Sequence, residues 1–381
     1  MDLSLAQKKQ FVGMVWGRVR VWVGLSSLQM GSILGKRRGV FLISTLFGIA
    51  LLIAMVWIAR PMAVLARINA LGVVGIVTFL FTILLGFSFG VEGWRTLLRS
   101  YGVRGSFRRT FGVMAGAYVV TYLTPSFHLG GEPVRVFLAS DGLRRRSHGV
   151  IATILVERLL YLIIIATLLL AGGSIGLRES AIPAIIQQGV LAIAGAALIG
   201  SGIVLVGVAR QAEWASRCVA FVLRHLPRWR WVKRVEAALS QVEREVNEAL
   251  VGHRQATLSA ALLLTISVGF NLLAPLVFFS FAYGNLLSMG QLLLFFALST
   301  VFSLFSWLTP GGVGITEGAY ATVFGIMGLP IDGAVAFSLL QKLSSLCVVG
   351  VGIIYLSHCG VDWAAKRNRE ERRNATETEC I

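Results

Sequence analysis

The sequence predicts an all-α, polytopic transmembrane helical bundle of about six full spans plus two broken-helix hairpins arranged as an inverted repeat. Three observations predict it. The apolar residues fall in runs of roughly 20, the length that crosses a hydrocarbon core of about 30 Å. Charged residues make up 14% of the chain against 56% hydrophobic, with mean hydropathy +0.77, whereas a soluble domain carries about 25% charged residues. Two of the apolar stretches are interrupted by the same pattern of Pro, Gly and Glu.

Six runs read as full spans: 40–58, 71–91, 150–170, 190–208, 258–283 and 334–356. The first lies behind Lys36, Arg37 and Arg38, and no cleavable signal peptide is expected. The two interrupted stretches are about 111–140, broken at Pro125, Gly130, Gly131 and Pro133, and about 292–329, broken at Pro310, Gly311, Gly312 and Gly314. Non-helical backbone at membrane depth is tolerated only where protein buries it or it lines a wet cavity. Each is therefore read as a re-entrant hairpin of two shorter helices. The membrane domain then spans 40–358, between a basic, amphipathic segment at 1–39 and a polar tail at 359–381.

Loop charges orient the bundle. Residues 1–39 carry seven Lys/Arg against Asp2 alone, 92–110 carries five Arg, and 210–255 carries nine Lys/Arg. The 172–182 loop has one and 284–289 none. Arg60 and Arg67 go against the pattern without reversing it. Positive-inside places both termini and the 210–255 loop in the cytoplasm. The first hairpin then enters from the cytoplasm and the second from outside, because three spans separate them. Trp214, Phe221, Trp229 and Trp231 interleave with Arg and Lys in the 210–255 loop, as in helices lying along an interface. The net charge of +17 sits in these loops, which argues against a nucleic-acid partner. Cys218, Cys347, Cys359 and Cys380 have no CxxC spacing, so no disulfide framework and no metal site are expected. No cofactor is expected either. The mixed-charge stretch 366–381 is expected to stay unfolded.

The hairpins match in detail. Leu123–Thr124–Pro125 leads through Gly130 and Gly131 to Glu132, and Leu308–Thr309–Pro310 leads through Gly311, Gly312 and Gly314 to Glu317. Proline and glutamate are seven residues apart in both. Twenty-five residues after Glu132 comes Glu157, beside Arg158, and twenty-five after Glu317 comes Lys342, beside Gln341. Inverted repeats of this kind set broken helices face to face near the midplane, around a substrate. Broken helices expose N–H groups that favour an anion. Pro133 suits the first turn of a half-helix, and Glu132 or Thr316 suits its cap.

Arg158 and Lys342 lie roughly 12–16 Å into their spans at helical rise. A cation there costs at least about 2.5–3.5 kcal/mol and must be paired or wet. The bland readings are snorkelling for Arg158 and a structural pair with Glu317 or Glu157 for Lys342. Glu157 and Arg158 are sequence neighbours and cannot simply pair with each other. Arg135 is placed to pair with Glu132 or to reach a phosphate. Asn271 and Gln341 suit interhelical hydrogen bonds, His128 a loop, and Asp332 the outer surface. No HExxH, Walker A or GxSxG pattern is present, so no catalytic residue is assigned.

At these residues the chain resembles the membrane region of lysylphosphatidylglycerol synthases and their stand-alone, flippase-like relatives. The matching elements are Gly130–Gly131–Glu132 with Arg135, Glu157–Arg158, and Pro310–Gly311–Gly312–Val313–Gly314 with Glu317, over about 40–358. The chain departs from the family pattern at Tyr161, where relatives often carry an acid, and at Gln341–Lys342, where they often carry an arginine. The resemblance implies a protein of the cytoplasmic (inner) membrane of a prokaryote that moves or presents lipids. It also implies that Glu132, Arg135, Glu157, Arg158 and Glu317 are central-site candidates, to which Lys342 is added from its depth. The soluble aminoacyl-transfer domain is missing, so lysyl transfer is not expected.

The function expected is a lipid flippase for an anionic phospholipid or phospho-glycolipid, not an enzyme. Two rivals stand beside it. An intramembrane enzyme would use the buried glutamates on a headgroup. A non-catalytic partner of a membrane glycosyltransferase or lipid synthase would depend on the 210–255 loop instead.

Overall fold

A computed structural model describes residues 45–123, 130–140, 147–176, 184–209 and 244–379. Pro125 and His128, the basic segment 1–39 and most of the 210–255 loop lie outside the described residues. Among the described residues the regular elements are all helical, as a chain in lipid requires to satisfy its backbone. In order these are α1 (Thr45–Ile58), α2 (Pro61–Ser100), α3 (Phe107–Leu123), α4 (Glu132–Ser140), α5 (Ser147–Ala171) and α6 (Ala184–Ala209). After them come α7 (Arg254–Tyr283), α8 (Met289–Ser303), α9 (Ile315–Ile326) and α10 (Ile331–Glu379). Among the described residues four helices are long and apolar enough to cross a membrane, those of α2, α5, α7 and α10. The apolar parts of α1, α6 and α8 are shorter.

Several helices overrun the apolar runs that predict them. The run 71–91 becomes α2, which starts at Pro61, a residue suited to a first turn. It kinks at Gly72 (φ 60°, ψ 179°) and continues to Ser100. Hydrophobicity marks where lipid ends, but only a breaker or a cap ends a helix. The last helix likewise runs to Glu379, so the expectation of an unfolded tail is corrected over 366–379. Its Lys, Arg and Glu residues are good helix formers.

The two ends of the bundle are distinct. At one, Arg67 Nε lies 2.8 Å from Asp332 and its guanidinium sits 4.2 Å from the Tyr283 ring. The charge of Arg67, which opposed the loop pattern, is therefore neutralised by α10. At the other end Tyr101 donates to the Glu245 carbonyl and packs 5.6 Å from the His253 ring. The helix α3 starts beside this second end, and α8 starts beside the first.

Both are short over the described residues: 17 and 15 residues, or about 25 and 22 Å at helical rise. Their tips meet inside the bundle, where a Cβ on Gly311 would fall 2.7 Å from the Tyr122 ring. Phe337 of α10 holds the second hairpin from behind. Its ring meets Tyr320, Phe295 and Phe278 edge-on at 4.9–5.3 Å, the geometry that aromatic quadrupoles favour.

The first hairpin leans on α10 through small residues. A Cβ on Gly352 would lie 2.3 Å from the Ala115 carbonyl oxygen, which is backbone and cannot turn aside. Gly352→Val is expected to lower stability by about 1–3 kcal/mol through overpacking, read as a lower unfolding midpoint in detergent. An unchanged midpoint would show that α3 and α10 do not pack this closely.

Candidate functional site

The second break is built residue by residue. Gly311, Gly312 and Gly314 have φ of 63°, 63° and 81°, a region that side chains with a Cβ rarely enter. Pro310 stops the incoming chain, and the backbone is closed by side chains. Thr309 Oγ1 donates to the Val313 carbonyl (2.8 Å) and Thr316 Oγ1 to that of Gly312 (2.7 Å). Glu317, in the first turn of α9, accepts from the Gly314 N–H at 2.7 Å. That is the reach-back half of a capping box. Thr316 does not cap; the carboxylate does.

Glu317 is fully buried, and Lys342 Nζ lies 3.2 Å from its other oxygen. Ser338 Oγ donates to that same oxygen at 3.4 Å. Lys342 also donates to the Gly311 carbonyl at 3.3 Å, tying α10 to the break. The sequence pairing of break, acid and in-span cation is thus a physical contact.

A second charged network, with two cations, surrounds Glu132. Glu132 opens α4, followed by Pro133 in its first turn. Arg158 Nε donates to Glu132 at 2.9 Å. Arg135 bridges Glu132 at 3.3 Å and Glu157, and its guanidinium lies 4.1 Å from the Trp94 ring. Gly131, packed against Ala117 and Thr121, donates its N–H to Thr121 Oγ1 at 3.0 Å. Gly130 forms the turn before it. Arg135 and Glu157 are buried, whereas the Arg158 side chain is 48% exposed.

Between the tips lies a cavity of about 230 Å³. Tyr118, Thr121 and Tyr122 line it from α3, and Gln341, Lys342 and Ser345 from α10. The second hairpin contributes Ser306, Thr309, Gly311, Gly312, Thr316 and Tyr320. The lining presents eight hydroxyls, one amide and one cation. Of the six charged candidates, only Lys342 lines it. Glu317 stands behind Lys342, and Glu132, Arg135, Glu157 and Arg158 form the separate network on α4 and α5.

Sequence reasoning missed Trp94 and the tyrosines. One signal for Tyr122 existed: Tyr122–Leu123–Thr124–Pro125 aligns with Trp307–Leu308–Thr309–Pro310, so both breaks follow an aromatic residue. Among the described residues no group of three or more His, Cys, Asp or Glu is placed to hold a metal. In comparisons with known proteins, the family model of the lysylphosphatidylglycerol synthase TM region matches residues 41–352. No curated protein and no solved structure matches the chain.

Proposed function

The chain belongs to the lysylphosphatidylglycerol synthase transmembrane-region family, and from that premise we propose that it is a flippase for an anionic phospholipid or phospho-glycolipid. The family and the apolar helices make it a multi-pass membrane protein of lipid biosynthesis or transport. The finer reading rests on one observation: two interrupted helices that start from opposite ends of the bundle meet at a polar cavity holding a single lysine.

The chemistry supports a headgroup of stated character. Moving a headgroup through the bilayer requires replacing its water with fixed polar partners. Hydroxyls donate and accept, so the lining suits glycerol or sugar hydroxyls. Lys342, already half-committed to Glu317, supplies one cation for one phosphate. Helices entering from opposite sides suit rocking of one repeat against the other, which exposes the headgroup to each leaflet in turn. The loop charges support placing both termini in the cytoplasm of a prokaryotic inner membrane.

Purified protein in liposomes tests this. A headgroup-labelled anionic lipid in the inner leaflet is expected to become accessible to a membrane-impermeant quencher, with no new lipid species by mass spectrometry. A new species would assign lipid modification instead. Exchange no faster than in protein-free liposomes, with and without a pH gradient, would end the proposal.

A further inference from the structure

A second recess, of about 60 Å³, lies where α2 turns into α3. It shares no lining residue with the central cavity. Its floor is apolar: Trp94, Leu98, Val103 and Val113, all buried. Its mouth carries Arg104 and Arg109, both exposed.

Among the described residues these arginines have no counter-charge. Glu92 is the only acid in 92–110, and it is taken by Arg95 at 2.6 Å. No ion pair involves Arg104 or Arg109 among the described residues; the Arg109 guanidinium bonds the Tyr355 hydroxyl. Two guanidiniums that lack an ion-pair partner among the described residues, over an apolar floor, invite an anion with an apolar body. The volume is far below that of a pocket enclosing a whole ligand, about 300 Å³ or more, so it takes a compact group such as a phosphate.

Depth decides the source. The apolar stretch of α2 ends near Val91, and Glu92, Arg95 and Arg99 follow, the basic flank found where a span leaves the membrane. The Arg67–Asp332 pair marks the opposite end. Basic pockets between helices at the inner face bind anionic headgroups. We propose that the recess formed by Arg104 and Arg109 over Trp94 is a binding site for the phosphate of an anionic phospholipid in the adjoining leaflet. The proposal needs the membrane reading, not the flippase reading.

Native mass spectrometry of the full-length protein in an uncharged detergent, with added phosphatidylglycerol or phosphatidylcholine, tests it. Wild type is expected to retain phosphatidylglycerol preferentially, and each of R104Q and R109Q to weaken retention about fivefold. R108Q removes the same charge from a neighbouring exposed residue outside the recess and is expected to retain the lipid. R104K/R109K keeps the charge, and partial retention is expected. If R108Q weakens retention as much as R109Q, or if folded R104Q/R109Q binds like wild type, the site is refuted. Displacement of the lipid by millimolar inorganic phosphate would assign the recess to the free anion and overturn the lipid.

Discussion

Lys342→Met is expected to unsettle the second break and to abolish headgroup exchange. Glu317 is fully buried, and Lys342 is the one cation paired with it among the described residues. Removing one partner of a buried pair leaves an uncompensated charge and costs about 3–5 kcal/mol. The Gly314 N–H and Ser338 still bond the carboxylate, which sets the loss toward the lower part of that range. The double variant E317Q/K342M removes both charges while keeping an acceptor for Gly314. It is expected to recover most of the unfolding midpoint in detergent but none of the exchange in liposomes, because the cavity has lost its cation. That split separates a lysine that serves the headgroup from one that only neutralises Glu317. Wild-type exchange by the folded double variant would show the second role alone.

The parts of this site that were legible in the sequence are those set by local backbone chemistry. Pro310 and three closely spaced glycines predict a break because the chain there needs positive φ at 311, 312 and 314. The cap was less legible: Thr316 was the candidate at this break, whereas Glu317, three residues beyond Gly314, takes the role. The Arg135–Glu132 pair follows from i,i+3 spacing on one short helix. Lys342 could be expected to meet Glu317 or Glu157, because the depth of its span leaves a cation few other partners, and it meets Glu317. The contacts between helices were not legible. Arg135 meets Glu157 from a different helix, and Trp94 reaches it from α2, some 40 residues away. Periodicity cannot say which helices become neighbours. The cavity lining was hidden for the same reason: a tyrosine or serine on an apolar helix reads alike whether it faces lipid, a neighbour or a cavity. Helix ends were legible only where a breaker stood, which is why α2 and α10 outrun their apolar cores. Arg67 seemed to contradict the loop charges until its contact with Asp332 explained it.

Arg135→Met is expected to be the most destabilising single change in the first hairpin. Arg135 and Glu157 are nearly closed to solvent, at 4% and 7% side-chain exposure, so the pair escapes the screening that makes surface ion pairs weak. Its loss leaves Glu157 buried without a cation and strips Trp94 of its cation–π partner. A fall of about 3–5 kcal/mol follows from the first effect alone. Arg135→Lys keeps the charge, but one ammonium cannot span Glu132 and Glu157 while lying flat on the indole. It is therefore expected to restore only part of the loss. R135M/E157L, which removes both buried charges and keeps apolar volume, is expected to unfold close to wild type. Arg158→Met should shift the midpoint little, since that side chain is half-exposed. Unfolding in detergent orders the four variants. If Arg135→Met and Arg158→Met cost the same, burial does not govern this network, and the pairing of Arg135 with Glu157 is not what fixes α4 against α5.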